Sequence, residues 1–165
     1  MAAPAPGETP LSEADLKAGL VFNFARYVEW PASEFADPDA PLLLCQIGRE
    51  KLGGALGALD GRHLQGRPVK VRLAAAPEEL QACHLVFFSD PDPHQWLPVL
   101  RALAGRAVLT VSDADGFIDA GGAIGIVAGE GRLQFEVNRD ALDRARLRAS
   151  SQMLKLARAV IGRRG

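Results

Sequence analysis

The sequence predicts a single three-layer α/β domain, in which helices flank a mostly parallel sheet that carries an antiparallel hairpin near the C-terminus. Two patterns indicate this fold. Short apolar runs alternate with helical segments, as expected for buried parallel strands joined by helices. Further along, two strands flank a Gly-Glu-Gly turn, which is typical of a hairpin. The chain has 165 residues, of which 48% are apolar, and this is enough for one domain with a core.

The chain is predicted to divide into a short leading segment and one domain. Residues 1–10, MAAPAPGETP, are small and rich in Pro, and we expect a flexible mature N-terminus there, with residues 11–165 forming the domain. The sequence shows neither a signal-peptide pattern nor an apolar run long enough to span a membrane. This composition fits both a cytosolic protein with a frayed end and a mature form from which a signal has been removed.

The first helix is predicted from about Leu11 to Tyr27. Ser12 followed by Asp15 resembles a capping box, with Asp in place of the usual Glu. Spacings of four and three place four apolar side chains on one helix face: Leu16, Leu20, Phe24 and Tyr27. The helix is expected to end before Pro31, because Pro cannot continue a helix and disfavours helical angles in the preceding Trp30.

Strands and helices then alternate along the chain. Four buried strands are predicted in PLLLCQIG, VKVRLA, HLVFFSD and AVLTVSD, and helices are predicted in REKLGGALGALDG, EELQAC and HQWLPVLRALAG. In the hairpin GAIGIVAGEGRLQFEVN, the buried face of the second strand is expected to carry Leu133, Phe135 and Val137. Two helical stretches should finish the chain, the last of them beginning at Ser150 and reaching Ile161.

The sequence contains few features that resemble catalytic or metal-binding motifs. The sequence has no G-x-S-x-G elbow, P-loop or Rossmann fingerprint. A calcium loop is suggested by three closely spaced aspartates, Asp113, Asp115 and Asp119. Its twelfth position is Ile124, where a bidentate Glu is required, so a turn is expected instead. The histidines lack metal-ligand spacing: His63, His84 and His94. We therefore predict no catalytic, cofactor or metal site, and a binding or regulatory protein.

Charge is unevenly distributed along the sequence. Residues 1–40 carry two basic and seven acidic side chains, a net charge of −5, whereas residues 132–165 carry nine basic and three acidic ones, a net charge of +6. The basic stretch is typical of a solvated helical face. Nucleic-acid binding is not expected, because the whole chain has a net charge of −1.

The chain has two cysteines, Cys45 and Cys83. In a cytosolic protein they fit two buried thiols, and in a periplasmic protein they fit a disulfide. Cys45 lies in the first predicted strand of the sheet and Cys83 at the start of the third. Neighbouring strands could bring them within bridging distance.

Six segments resemble, in order, the YfiR family of periplasmic regulators. They are KAGLVFNFARYVEWP, LLLCQIG, ACHLVFFSD, VLTVSDADGFIDAGGAIGIV, LQFEVNRDAL and SSQMLKLARAV. In that family the first helix carries a Lys, a spaced Asn-Phe and a Trp-Pro end. The resemblance extends from about Lys17 to Val160. It implies that residues 1–165 are a mature, periplasmic form.

The resemblance implies a function without catalysis. YfiR-like proteins bind and repress the periplasmic sensor region of an inner-membrane diguanylate cyclase, YfiN. An OmpA-like outer-membrane lipoprotein, YfiB, sequesters them and so releases cyclic di-GMP synthesis and biofilm formation. The family forms dimers and depends on disulfides, which favours a bond between Cys45 and Cys83. Some relatives carry a second cysteine pair in the segment matching Asp113 to Gly125, and this chain has none there.

The resemblance places cyclase binding in the C-terminal half of the chain. There we predict a small apolar patch with a charged rim at a sheet edge, formed by Ile124, Glu136 and Leu142. In the alternative interpretation, Ile124 and Leu142 are core residues and Glu136 is only solvated.

Two further alternatives stay open. Trp30 is interpreted either as an anchor that holds the end of the first helix against the sheet, or as part of a ligand or partner groove. The rival to the regulator is a small-molecule sensor domain, which would bind a metabolite near the carboxyl ends of the strands.

Overall fold

The computed structural model describes residues 12–49, 53–129 and 131–162. Its helices are Glu13–Tyr27 (α1), Gly53–Gly57 (α2), Pro93–Ala102 (α3), Arg139–Arg144 (α4) and Ser151–Leu156 (α5). Its strands are Val28–Glu29 (β1), Leu42–Ile47 (β2), His63–Leu64 (β3), Arg67–Ala74 (β4), Leu85–Phe88 (β5), Leu109–Ser112 (β6), Ile124–Gly129 (β7), Arg132–Asn138 (β8), Arg148–Ala149 (β9) and Ala159–Ile161 (β10). The predicted flexible segment, residues 1–10, lies outside the described residues.

The described part of the chain forms one large sheet with the strand order β10-β8-β7-β6-β5-β2-β4-β3. The successive pairs β4-β2, β2-β5, β5-β6 and β6-β7 are parallel. Strand β3 is antiparallel to β4, and β8 returns antiparallel to β7 as the predicted hairpin. A separate two-stranded ladder joins β1 to β9. The fold class predicted from the sequence is therefore confirmed.

Apolar side chains fill both faces of the sheet, which explains why its strands have continuous apolar sequences. In β2, Leu44 belongs to the core under α1, together with Phe24 and Phe87. The next residue, Cys45, points to the opposite core under α3, which contains Phe88. Since successive side chains of a strand alternate between faces, a strand buried on both faces is apolar at most positions.

Helix α1 begins as predicted but buries a different face. Ser12 and Asp15 form the capping box, with the Ser12 hydroxyl accepting the Asp15 N–H at 3.1 Å. Of the four predicted face residues, only Phe24 is fully buried, and Leu16 is 44% exposed. The buried stripe of α1 is Ala18, Val21, Phe22, Phe24 and Ala25. The predicted face was wrong because α1 has two apolar stripes, and the sheet buries the one that carries Phe22 and Phe24, while Leu20 and Tyr27 are only partly buried.

The end of the chain also differs from the prediction. Helix α5 stops at Leu156, and residues 159–161 form β10, which pairs parallel with β8. Ala157 has extended backbone angles, and the N–H of Arg158 bonds to the carbonyl of Phe135. The apolar spacing that predicted a helix as far as Ile161 is equally compatible with a short strand, and the free edge of β8 decides between them.

Candidate functional site

A cleft of about 420 Å³ opens at the carboxyl end of β6. Its walls are the start of α1, the loop that follows β6, and the β7–β8 hairpin. The charged residues lining it are Glu13, Lys17, Asp113, Asp115, Asp119, Glu136 and Arg158, and its apolar lining includes Phe117, Ile118, Ile126 and Leu133. We call this the acidic cleft, since five carboxylates face two cations in its lining.

Lys17 and Asp113 form the polar centre of the acidic cleft. Lys17 Nζ lies 2.6 Å from Asp113 Oδ2, and both side chains are largely buried. Glu13, one turn earlier on α1, approaches Lys17 Nζ to 3.5 Å. Burial alone would lower the pKa of Lys17, but the hydrogen bond and charge of Asp113, helped by Glu13, outweigh it and raise that pKa. The amine therefore stays charged, and it ties α1 to the loop after β6.

The opposite wall of the acidic cleft carries Glu136. Its Oε2 lies 4.0 Å from Arg158 Nε, and its side chain is 28% exposed. The pair is at the limit of an ion pair, so the carboxylate remains accessible to a partner. Apolar lining beside accessible carboxylates suits a protein segment that presents a basic side chain next to an apolar one.

The structure separates the three predicted docking residues. Glu136 lines the cleft, but Ile124 is 0% exposed and Leu142 is 4% exposed. The predicted exposed patch of Ile124 and Leu142 is therefore wrong. Ile124 pairs with Val111 on one side and Val137 on the other, and β10 extends the sheet beyond β8. Residues of the hairpin that the sequence places near an edge are thus interior.

Cys45 and Cys83 form a disulfide, as predicted, with an S–S distance of 1.99 Å and a Cα–Cα distance of 6.0 Å. Cys45 lies in β2, and Cys83 lies two residues before the strand β5 that pairs with β2. Both residues are buried in the core under α3. The bond therefore links β2 to the segment that leads into β5, on the face opposite α1.

His84, next to this disulfide, fixes the position of the segment that connects α1 to β2. Its Nδ1 accepts the N–H of Leu43 at 2.9 Å, and its Nε2 lies 3.1 Å from the carbonyl oxygen of Glu34. Phe35 stacks on the imidazole with the ring centroids 4.4 Å apart. Because Nδ1 accepts a backbone N–H, the ring is neutral with its proton on Nε2, where it donates to Glu34.

Trp30 joins the same cluster. Its indole N–H donates to the carbonyl oxygen of His84 at 2.9 Å, and its partly buried ring packs against the core under α1. The geometry supports the anchor interpretation of Trp30. The sequence showed only that His84 lacks metal-ligand spacing, and it gave no signal for these backbone interactions.

We expect the stability of the protein to fall on acidification because of His84. Burial lowers the pKa of His84; the charge of Arg67 acts in the same direction, whereas the backbone bond to Glu34 and its charge oppose it. The unfolded chain therefore binds a proton below about pH 6.5 that the folded chain resists. The contribution of His84 is complete above that pH and is lost as the pH falls towards the folded-state pKa.

Urea unfolding between pH 7.5 and 5 measures this effect. His84→Gln should lose about 1–2 kcal/mol at neutral pH, because the buried Leu43 N–H loses its acceptor, and its stability should depend less on pH. His63→Gln, at an exposed position in β3, serves as the matched control. Equal pH dependence in wild type and His84→Gln would contradict the assignment.

Within residues 12–49, 53–129 and 131–162, no cluster of three or more His, Cys, Asp or Glu could hold a metal ion. In the same ranges, no helix is long and apolar enough to cross a membrane.

Comparison with known proteins adds the family. Residues 14–158, most of the chain, match the family model described as DUF4154, YfiR/HmsC-like. The chain belongs to the YfiR/HmsC-like family. Membership confirms the resemblance found in the sequence and supports a general role as a periplasmic regulatory protein. The family is a regulatory one and is not known as an enzyme.

The fold of this YfiR/HmsC-like protein is similar to that of a solved structure, a conserved domain protein from Vibrio cholerae O1 biovar El Tor strain N16961. The TM-score is 0.59 at 10% sequence identity, and the match covers 93% of this chain. It covers 62% of the Vibrio chain, so our protein spans less than two thirds of that relative's length. At this identity the comparison concerns the fold alone.

Proposed function

We propose that this protein is a periplasmic negative regulator that binds and represses the sensor region of a YfiN-like inner-membrane diguanylate cyclase. A YfiB-like, OmpA-like outer-membrane lipoprotein then releases the cyclase by sequestering the regulator. The output is cyclic di-GMP and biofilm formation. The regulator acts by stoichiometric binding and without catalysis. Homodimerisation is part of the proposal, and sedimentation analysis tests it.

One observation carries this proposal. Three of the segments that resemble the YfiR family are far apart in sequence, yet each contributes a charged side chain to the acidic cleft. Lys17 comes from the first segment, Asp113 from the fourth and Glu136 from the fifth. A need for a stable core does not explain why charged residues of separate segments meet at one accessible cleft, whereas partner binding does. We therefore place the docking surface at the acidic cleft, with Glu136 on its rim.

Binding to the purified periplasmic domain of the cyclase tests the docking surface. We expect Glu136→Lys to weaken binding about tenfold or more, mainly through slower association, because the reversed charge repels a basic partner group. Glu78→Lys makes the same charge change at an exposed position outside the cleft and should bind like wild type. Biolayer interferometry at two salt concentrations measures both rates, and the loss should be smaller at high salt.

The outcomes separate two levels of the proposal. Near-UV circular dichroism must first show that both variants are folded. If folded Glu136→Lys binds like wild type, the docking face lies elsewhere. If wild type itself does not bind the cyclase domain, the repressor function is wrong.

A further inference from the structure

A second crevice, of about 290 Å³, lies at the carboxyl ends of β2, β4 and β5, away from the acidic cleft. From β2 the chain first adds β4 on one side, and then crosses back to add β5 on the other. In open α/β sheets, the point where the strand order reverses in this way leaves a crevice in which ligands bind. The crevice therefore lies at the carboxyl ends of the strands, where the alternative interpretation of the sequence, a small-molecule sensor domain, would bind a metabolite.

The floor of the crevice is held together by backbone and charge. Gly48 has φ +132°, and a Cβ atom there would lie 2.6 Å from Ser89 Oγ, so the end of β2 can approach the end of β5 only with glycine. The buried carboxylate of Asp90 accepts the N–H of Asp92 at 3.0 Å. It also accepts Arg49 Nε at 2.9 Å and Nη2 at 3.3 Å. This pairing leaves the Arg49 side chain 71% exposed at the rim of the crevice.

Trp96, on the first turn of α3, lines the crevice and has an unsatisfied polar atom. The residue is 4% exposed, and its indole nitrogen has no hydrogen-bond partner among the described residues. Trp30, by contrast, donates its indole N–H to a carbonyl oxygen. Buried N–H donors nearly always find an acceptor, so an unpartnered donor on a residue that lines a ligand-sized crevice indicates that the acceptor comes from elsewhere. The other walls are largely apolar and include Ile47, Phe88 and Val99.

We propose that this crevice binds a small molecule with an apolar body and an acceptor oxygen, as in a carboxylate or carboxamide. The apolar body packs between Phe88 and Val99. The oxygen accepts from the Trp96 indole N–H or from the outer edge of the Arg49 guanidinium. The indole nitrogen is shielded in the ligand-free protein, so binding includes a small opening around the Trp96 ring. The inference does not depend on the proposed function, because the cleft and the crevice are separate.

Three matched probes test the chemistry: phenylacetate, phenylacetamide and phenethylamine. All have the same ring, but phenethylamine has no acceptor oxygen. ¹H–¹⁵N spectra of the whole chain are recorded during titration, with the Trp96 indole resonance assigned from Trp96→Phe. We expect phenylacetate or phenylacetamide to shift that resonance at millimolar concentration, while the Trp30 indole stays in place and phenethylamine has no effect. If the wild type prefers phenylacetate to phenylacetamide and Arg49→Ala loses this preference, then Arg49 binds the carboxylate of the probe.

Calorimetric titration of the variants provides the second readout. Trp96→Phe keeps an aromatic ring but removes the donor, and it should weaken binding of the preferred probe about tenfold. Trp30→Phe and Arg101→Ala are matched controls outside the crevice and should bind like wild type. The proposal is overturned if neither oxygen-bearing probe shifts the Trp96 resonance. It is also overturned if Trp96→Phe and Arg49→Ala, both folded by near-UV circular dichroism, bind the probe as tightly as wild type.

Discussion

The free energy of unfolding of Cys45→Ala/Cys83→Ala is expected to be about 4 kcal/mol lower than that of the wild type. The two cysteines are 38 residues apart, and a crosslink closing a loop of that length restricts the unfolded chain by about this amount. Both residues are buried in the core under α3, and the bond links β2 to the segment that leads into its neighbour β5. For a small domain, 4 kcal/mol is a large part of the total stability.

Urea unfolding of wild type, both single variants and the double variant measures this loss. The single variants should be about as unstable as the double variant, because either one removes the bond. Wild type in reducing agent is the control that keeps both sulfur atoms in the core. Intact mass under non-reducing conditions should show two hydrogens fewer than the free thiols. Two free thiols in folded, oxidised protein would rule out the bond, and a loss below about 1 kcal/mol would rule out the entropic argument.

The parallel centre of the sheet could be predicted from the sequence because its signals are local. Apolar runs such as Leu42–Ile47 and Leu85–Phe88 are buried on both faces. The apolar character of nearly every residue in the run therefore indicates a buried strand. The N-terminus of α1 was equally predictable, since Ser12 and Asp15 cap each other within one helical turn.

Elements decided by long-range pairing could not be predicted. Strand β10 exists because the edge of β8 is available to it, and nothing in residues 159–161 alone distinguishes that strand from a last helical turn. The error at Ile124 has a similar cause, because its face of β7 is covered by the core under α1, which the local alternation pattern does not show. The buried face of α1 was missed for a related reason: the helix has two apolar stripes, and only packing against the sheet decides which of them is buried.

The candidate site was only partly predictable. Lys17 and Asp113 are 96 residues apart, and only the folded chain shows that they form a 2.6 Å pair. Glu136 was predicted to face outward, and it does line the acidic cleft. The interactions of His84 were missed, because its backbone partners at Leu43 and Glu34 carry no side-chain signal in the sequence.

Trp30→Ala is expected to cost about 3 kcal/mol of unfolding free energy. Truncation of a fully buried Trp costs about 3–5 kcal/mol, and the lower end applies here because the ring is only partly buried. The change removes the ring from the core under α1 and also its bond to the carbonyl of His84. His84 in turn binds Leu43 and Glu34, so the loss should loosen the connection between α1 and β2.

Trp30→Phe divides this loss into its parts. It keeps an aromatic ring at the core boundary but deletes the indole N–H, so it should cost about 1 kcal/mol. In His84→Gln the effect of Trp30→Phe should be nearly unchanged, since the acceptor is the main-chain carbonyl of residue 84. Urea unfolding measures the stability of Trp30→Ala, of Trp30→Phe, and of Trp30→Phe combined with His84→Gln. Hydrogen exchange at the Leu43 N–H shows whether the bond to His84 opens. If Trp30→Ala unfolds like wild type but no longer binds the cyclase domain, Trp30 belongs to a partner groove and the anchor interpretation is wrong.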